Sequence, residues 1–96
     1  MITVSSLLWI WKGDSAGRWY FITVPEEQSG QIRAHSLADR RGFGAVRVEA
    51  AIDEIKWRTS LFPLNRGGYL LPVKSEIRRK TGVAAGDEVT VSLELI

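Results

Sequence analysis

Apolar and polar residues alternate along most of this chain, and wherever the period of two lapses, proline, glycine or a short charged run takes over. The first ten or so residues set Ile2, Val4, Leu8 and Ile10 on one parity and Thr3, Ser5, Leu7, Trp9 and Trp11 on the other. That spacing predicts a strand with one interior face and a second face at least partly covered. Lys12 to Gly17 holds two glycines and an Asp-Ser pair, residues that turn easily, and reads as a hairpin loop. Arg18 to Val24 is aromatic and β-branched, a strand packed on two sides that Pro25 ends.

Glu26 to Arg40 begins with carboxylates and ends with arginines, the polarity that complements a helix dipole, and Ile32 with Leu37 supplies a narrow apolar stripe; Gly30 argues against it. A loop at 41–44 leads to the clearest alternation, Val46, Val48, Ala50 and Ile52 against Arg47, Glu49 and Asp53, the pattern of a half-buried antiparallel strand. After a turn at Asp53-Glu54, Ile55, Trp57, Thr59 and Leu61 share one face of a strand that should pair with the one before it. Residues 63–68 are turn chemistry. Tyr69 to Val73 is a short strand whose Pro72 suggests an edge or strand end. Ser75 is placed to cap a helix from Glu76 to Thr81, Gly82 to stop it, and Gly86-Asp87 to turn the chain into a last strand on Val89, Val91, Leu93 and Leu95.

Read as units, two stretches share one order of parts. Arg18 to Val24, a helix with Gly42 beyond it and the Val46-Val48 strand echo Tyr69 to Val73, a basic helix, Gly82 and the Val89-Val91 strand. Two strand–helix–strand copies can each bury their apolar face only against the other. The expected product is a mainly β, small closed barrel of about six strands with two short helices and an internal pseudo-two-fold.

Size and composition sharpen this picture. Ninety-six residues suffice for one core, so 1–96 is expected to be a single domain. With 45% hydrophobic and 25% charged residues the chain should fold, and 13 basic against 11 scattered acidic residues make no extended field for nucleic acid. There is no cysteine, which removes disulfides, thiol nucleophiles and cysteine-bound metals and fits a cytoplasmic location. The LLWIW run at 7–11 is far short of the roughly 20 residues of a membrane span, and no basic leader precedes it, so no membrane association or signal peptide is expected.

The segments WRTSLFP (57–63), YLLPVK (69–74), Ile77 to Arg79, Gly82 and GDEVTV (86–91), joined by Trp11 to Gly13, Gly17 to Phe21 and Gly42 to Val46, resemble a bacterial and archaeal family known only as domain of unknown function nineteen-oh-five. The resemblance covers nearly the whole chain and implies a double-split β-barrel, similar in fold to the AbrB and MazE class of regulators and antitoxins. It implies no catalytic residues and no activity; members are known partly as modules fused to segments resembling a bacteriocin-protection family. Asp53-Glu-Ile55 stands where relatives usually turn with glycine, a departure that bears on the tightness of that hairpin and not on the fold.

Chemistry-bearing residues are few. His35, the one histidine, has no carboxylate at ligand spacing and reads as a surface helix residue rather than a metal ligand or base. Ser60 lacks a base to activate it, and the glycines make neither a dinucleotide nor a phosphate-loop motif. No catalytic residue, cofactor or metal is expected. The basic group Lys74, Arg78, Arg79 and Lys80, with Arg40, Arg41 and Arg66 as candidates to join it, is either a solvated face or a phosphate contact surface. Four tryptophans with Tyr20, Tyr69 and Phe62 form a heavy aromatic load, most of it expected in the core, with a part free to line a cleft or partner surface. Trp11, Trp57, Arg58, Phe62, Lys74, Arg78 and Arg79 are the candidate surface. The expected role is a non-enzymatic binding or interaction module with a protein as its partner; the alternatives are an AbrB-like nucleic-acid-binding regulator, which is less favoured, and a small-molecule binder or weak enzyme using an aromatic cleft. Either a monomer or a homodimer is consistent with the repeat.

Overall fold

In the computed structural model, residues 1–12, 17–39, 44–65 and 67–96 are described, with the backbone alone for 36–39. Residues 13–16 of the hairpin loop expected from Lys12 to Gly17, the glycine at 42, and Arg40, Arg41 and Arg66 lie outside these residues, as does the side chain of Leu37. The elements run β1 (Ile2–Lys12), β2 (Arg18–Val24), α1 (Glu26–Asp39), β3 (Val46–Ile52), β4 (Ile55–Pro63), β5 (Tyr69–Pro72), α2 (Ser75–Thr81) and β6 (Glu88–Leu95). The strands close into one antiparallel barrel in the order β1-β2-β5-β4-β3-β6, as the alternating pattern requires.

Both long strands are split between two partners. β1 pairs with β6 over Ile2 to Leu7 and with β2 over Leu8 to Lys12. β4 pairs with β3 over Ile55 to Leu61 and reaches β5 only through Phe62 and Pro63. Exchanging β1 with β4, β2 with β5 and β3 with β6 returns the same ring of neighbours, so the internal two-fold holds. It is larger than the strand–helix–strand unit legible in the sequence, because it takes in β1 and β4 as well. The helices follow it: α1 packs beside β1 and α2 beside β4.

The interior is aliphatic. Val4, Leu8, Ile22, Val48, Leu61, Leu71, Val91 and Leu93 are essentially inaccessible, with Ile32 of α1 and Ile77 of α2 closing over them. A barrel of this strand number encloses room for side chains and little else, and β-branched and leucyl groups fill it without strain. That geometry overturns one expectation. Most of the aromatic load lies outside the core: among the described aromatic residues only Trp57 and Tyr69 are buried, while Trp11, Trp19 and Phe62 are about half exposed, at 49%, 54% and 46%.

A second correction concerns α2. Ser75 is the first helical residue rather than its cap; Lys74, in extended conformation, holds the cap position and gives no side-chain hydrogen bond there. Gly82 ends the helix as expected, in the left-handed region at φ 75° with its N–H on the Arg78 carbonyl at 2.9 Å. Among the described residues no basic side chain occupies the last turn of α1, because the expected Arg40 is not one of them.

Candidate functional site

The split in the barrel creates the site. Over residues 57–60 the edge of β4 that faces away from β3 has no strand partner, and among the described residues no loop backbone bonds to it. β2 likewise meets β5 only from Phe21 onward, apart from the Val73 N–H donating to the Tyr20 carbonyl at 2.9 Å. Between these edges, beneath the start of α2, opens a cleft of about 680 Å³. Its size lies within the range of small-ligand sites.

Five of the seven candidate residues line this cleft: Trp57, Arg58 and Phe62 from β4, and Lys74 and Arg78 from the entry to α2 and its first turns. Two do not. Trp11 sits opposite Trp19 on the β1–β2 hairpin but is not part of the lining, and Arg79 is exposed on α2 without facing the cleft. The structure adds Arg18, Trp19 and Tyr20 from β2, Arg47 from β3, and the Thr59 and Ser60 hydroxyls. Trp19 and Tyr20 belong to the aromatic set noted in the sequence but not to the candidate surface, and Arg18, Arg47 and Thr59 carry no signal there. They are brought to α2 by β2–β5 pairing and by the neighbouring strands of the ring, both tertiary facts.

The electrostatics are one-sided. Arg18, Arg47, Arg58, Lys74 and Arg78 all line the cleft, and among its described lining residues there is no Asp, Glu or His. Two carboxylates stand near from outside it: Glu49 reaches Arg58 at 3.8 Å and Glu76 reaches Lys74 at 3.8 Å. Both pairs are long, with Lys74 and Glu76 exposed and Arg58 exposed against a half-buried Glu49, and pairs open to solvent contribute only about 0 to 1 kcal/mol. Arg78 is held more firmly. Its guanidinium lies over the Tyr20 ring, 3.5 Å from the centroid, and its Nε donates to the Val73 carbonyl at 3.3 Å.

Trp57 provides the other distinctive feature. Trp57 is 94% removed from solvent on a strand whose Leu61 is fully buried, yet among the described residues its indole N–H has no hydrogen-bond partner. Trp9, by contrast, donates its indole N–H to the Thr23 hydroxyl at 2.9 Å. A buried donor left unpaired costs about 1 to 3 kcal/mol, and because the nitrogen itself is shielded, an acceptor would relieve it only if the Trp57 ring turned toward the cleft it lines. Ser60, considered for catalysis and set aside in the sequence, lies in a cleft with no described base. His35 is exposed on α1 beside a smaller groove of about 330 Å³, and among the described residues no three His, Asp or Glu side chains gather as a metal set.

The two-fold makes a comparison within the chain. Val4 and Leu8 are buried four apart in β1, as Trp57 and Leu61 are in β4. Matched on that spacing, Val4 stands where Trp57 stands. The α1 groove carries Glu94 and no Lys or Arg among its described lining. At the matched positions one half of the barrel therefore carries a valine and the other a tryptophan.

A closed six-stranded barrel with two split strands and a basic cleft at one of the splits defines the class. The chain belongs to the family described as domain of unknown function (DUF1905), which it matches over residues 5–93. No curated protein matches it. Among the described residues no helix is long and apolar enough to cross a membrane.

Proposed function

We propose that this domain is a non-enzymatic binding module whose cleft beneath α2 takes a small anionic ligand. The observation that carries the reading is the collection of five cationic side chains around one concave site whose described lining holds no acid. A general acid or base within reach is what most hydrolytic and transfer chemistry requires, and the lining supplies hydroxyls and cations instead. One chain closes its own ring of strands, which supports a monomer, and the lack of cysteine supports a cytoplasmic setting.

Titration with a library of organic anions and their neutral analogues, followed by amide resonances and thermal shift, tests this. Anions should raise the melting temperature and move the signals of residues 57–62 and 75–78, with saturation, and R58E should weaken the effect. A library in which no anion does either would refute the proposal.

A second reading, duplex nucleic-acid binding in the manner of the AbrB and MazE class, draws on the split strands and on Lys74, Arg78 and Arg79 in or beside α2. It is the weaker one, because Glu76 sits amid those cations and pairs with Lys74 and Lys80. Duplex affinity that falls steeply with salt would favour it; a flat gel-shift series would dismiss it.

A further inference from the structure

Resting on the anion-binding reading of the cleft, we infer that its ligand is a heteroaromatic anion of mononucleotide size: a flat ring with an in-plane hydrogen-bond acceptor, joined to a phosphate or carboxylate. Three features that simple anion binding does not need point to the ring.

The first is the unpaired indole N–H of Trp57, a neutral donor in a dry position just behind the cleft that the residue lines, which a ring acceptor engages by a small turn of the indole. A charged oxygen has cations to choose from in the same cleft, whereas a ring nitrogen or ring carbonyl matches a neutral donor in plane. The second is the unpartnered edge of β4 at 57–60. Such an edge offers backbone N–H and C=O groups side by side, which is the complement of a heterocycle edge that carries both acceptor and donor. The third is the pairing of aromatic and guanidinium surfaces. Arg78 is already stacked on Tyr20 with its Nε engaged by Val73, so its terminal N–H groups and the plane opposite Tyr20 are what it can offer a ligand; Trp19 and Phe62, each about half exposed, flank the same space. Stacking on flat cationic and aromatic faces is sequence-tolerant recognition of a ring, and adjacent guanidinium groups complete it by holding the acid.

The test compares whole ligands with their halves. The probes are the four common nucleoside monophosphates, the matching nucleosides, ribose 5-phosphate, inorganic phosphate and a short single-stranded oligonucleotide, read by titration of the four indole N–H resonances with Trp57→Phe as the assignment control. At least one monophosphate should shift the Trp57 indole signal and bind ten times or more tighter than ribose 5-phosphate and than its nucleoside. Trp57→Phe, which keeps the fold's ring there but lacks the donor, should lose about fivefold in affinity. An oligonucleotide that binds more tightly than every monophosphate, through the same Trp57 signal, places the ring in a polymer; equal or weaker binding places it in a free nucleotide. If ribose 5-phosphate binds as well as every monophosphate, the ring is refuted and the anion site stands. If no probe binds, the ring inference is refuted for nucleotides, and the anion library decides the broader reading separately.

Discussion

The guanidinium carbon of Arg78 lies 3.5 Å from the centroid of Tyr20, and this contact joins α2 to β2 across the split in the barrel. No strand ladder does so at that point, since β5 ends at Pro72. The pair should therefore act as a clasp for α2. A double-mutant cycle with Tyr20→Leu and Arg78→Met should give a coupling of about 0.5 to 1 kcal/mol in urea unfolding, the range of a partly exposed cation–π contact. Zero coupling would mean that the two residues hold α2 independently.

The turn between β3 and β4 is tight despite having no glycine. Ile52 pairs with Ile55, leaving Asp53 and Glu54 as a two-residue loop, and Asp53 bears the left-handed backbone at φ 53°. Aspartate tolerates that region better than most residues but not as well as glycine. Asp53→Gly should raise stability by up to about 1 kcal/mol, and Asp53→Val should lower it by about 1 to 2 kcal/mol. Equal stability for all three in chemical denaturation would contradict the strain argument.

How far the sequence reveals this molecule depends on the range of the interaction concerned. Val46, Val48, Ala50 and Ile52 announce their strand because alternation is a local property, and the fold needs each of them buried. Gly82 announces a helix end for the same reason. Trp11 misleads. It has the composition of a site residue, but whether an aromatic residue on a two-faced strand meets a cleft or open solvent depends on which neighbours the ring places beside it. Trp19 and Tyr20 are missed on the same ground: they come near α2 through the β2–β5 pairing, and the Arg78 contact is invisible until that pairing is known. Trp57, Arg58 and Phe62 are found because three suitable residues sit within one strand, where position along the chain is already position in space.

Acid should loosen α2 through Glu76. Its carboxyl is held below its ordinary value of 4.5, first by the hydrogen bond from Lys80 and then by the charges of Lys80, Lys74 and Arg79; the Lys80 contact spans 3.1 Å, four residues on. A carboxylate depressed in the folded state contributes its stabilisation fully above its unfolded value and loses it as the pH falls through the folded one. The contribution is thus constant around neutrality and disappears in acid below about 4.5. Carboxyl resonances should show Glu76 titrating below 4.5 in the native chain and moving back toward it in Lys80→Ala. A native midpoint at or above 4.5 would remove the ion pair from the account.

Trp57 should show a conflict between stability and binding. Trp57→Ala removes a large buried side chain and should cost about 3 to 5 kcal/mol. Trp57→Phe also loses volume, but it deletes the unpaired indole N–H, whose burial itself costs about 1 to 3 kcal/mol. The two effects oppose each other, so Trp57→Phe should cost less than about 1.5 kcal/mol in urea unfolding. Trp9→Phe provides the contrast, because there the same change breaks an existing bond to Thr23 and relieves nothing. If Trp57→Phe proves as damaging as Trp57→Ala, the indole N–H is satisfied in solution and the penalty is absent. If it is nearly neutral, an unpaired donor has been kept at a cost to the fold, and tryptophan at this position is explained by what the cleft binds rather than by how the barrel packs.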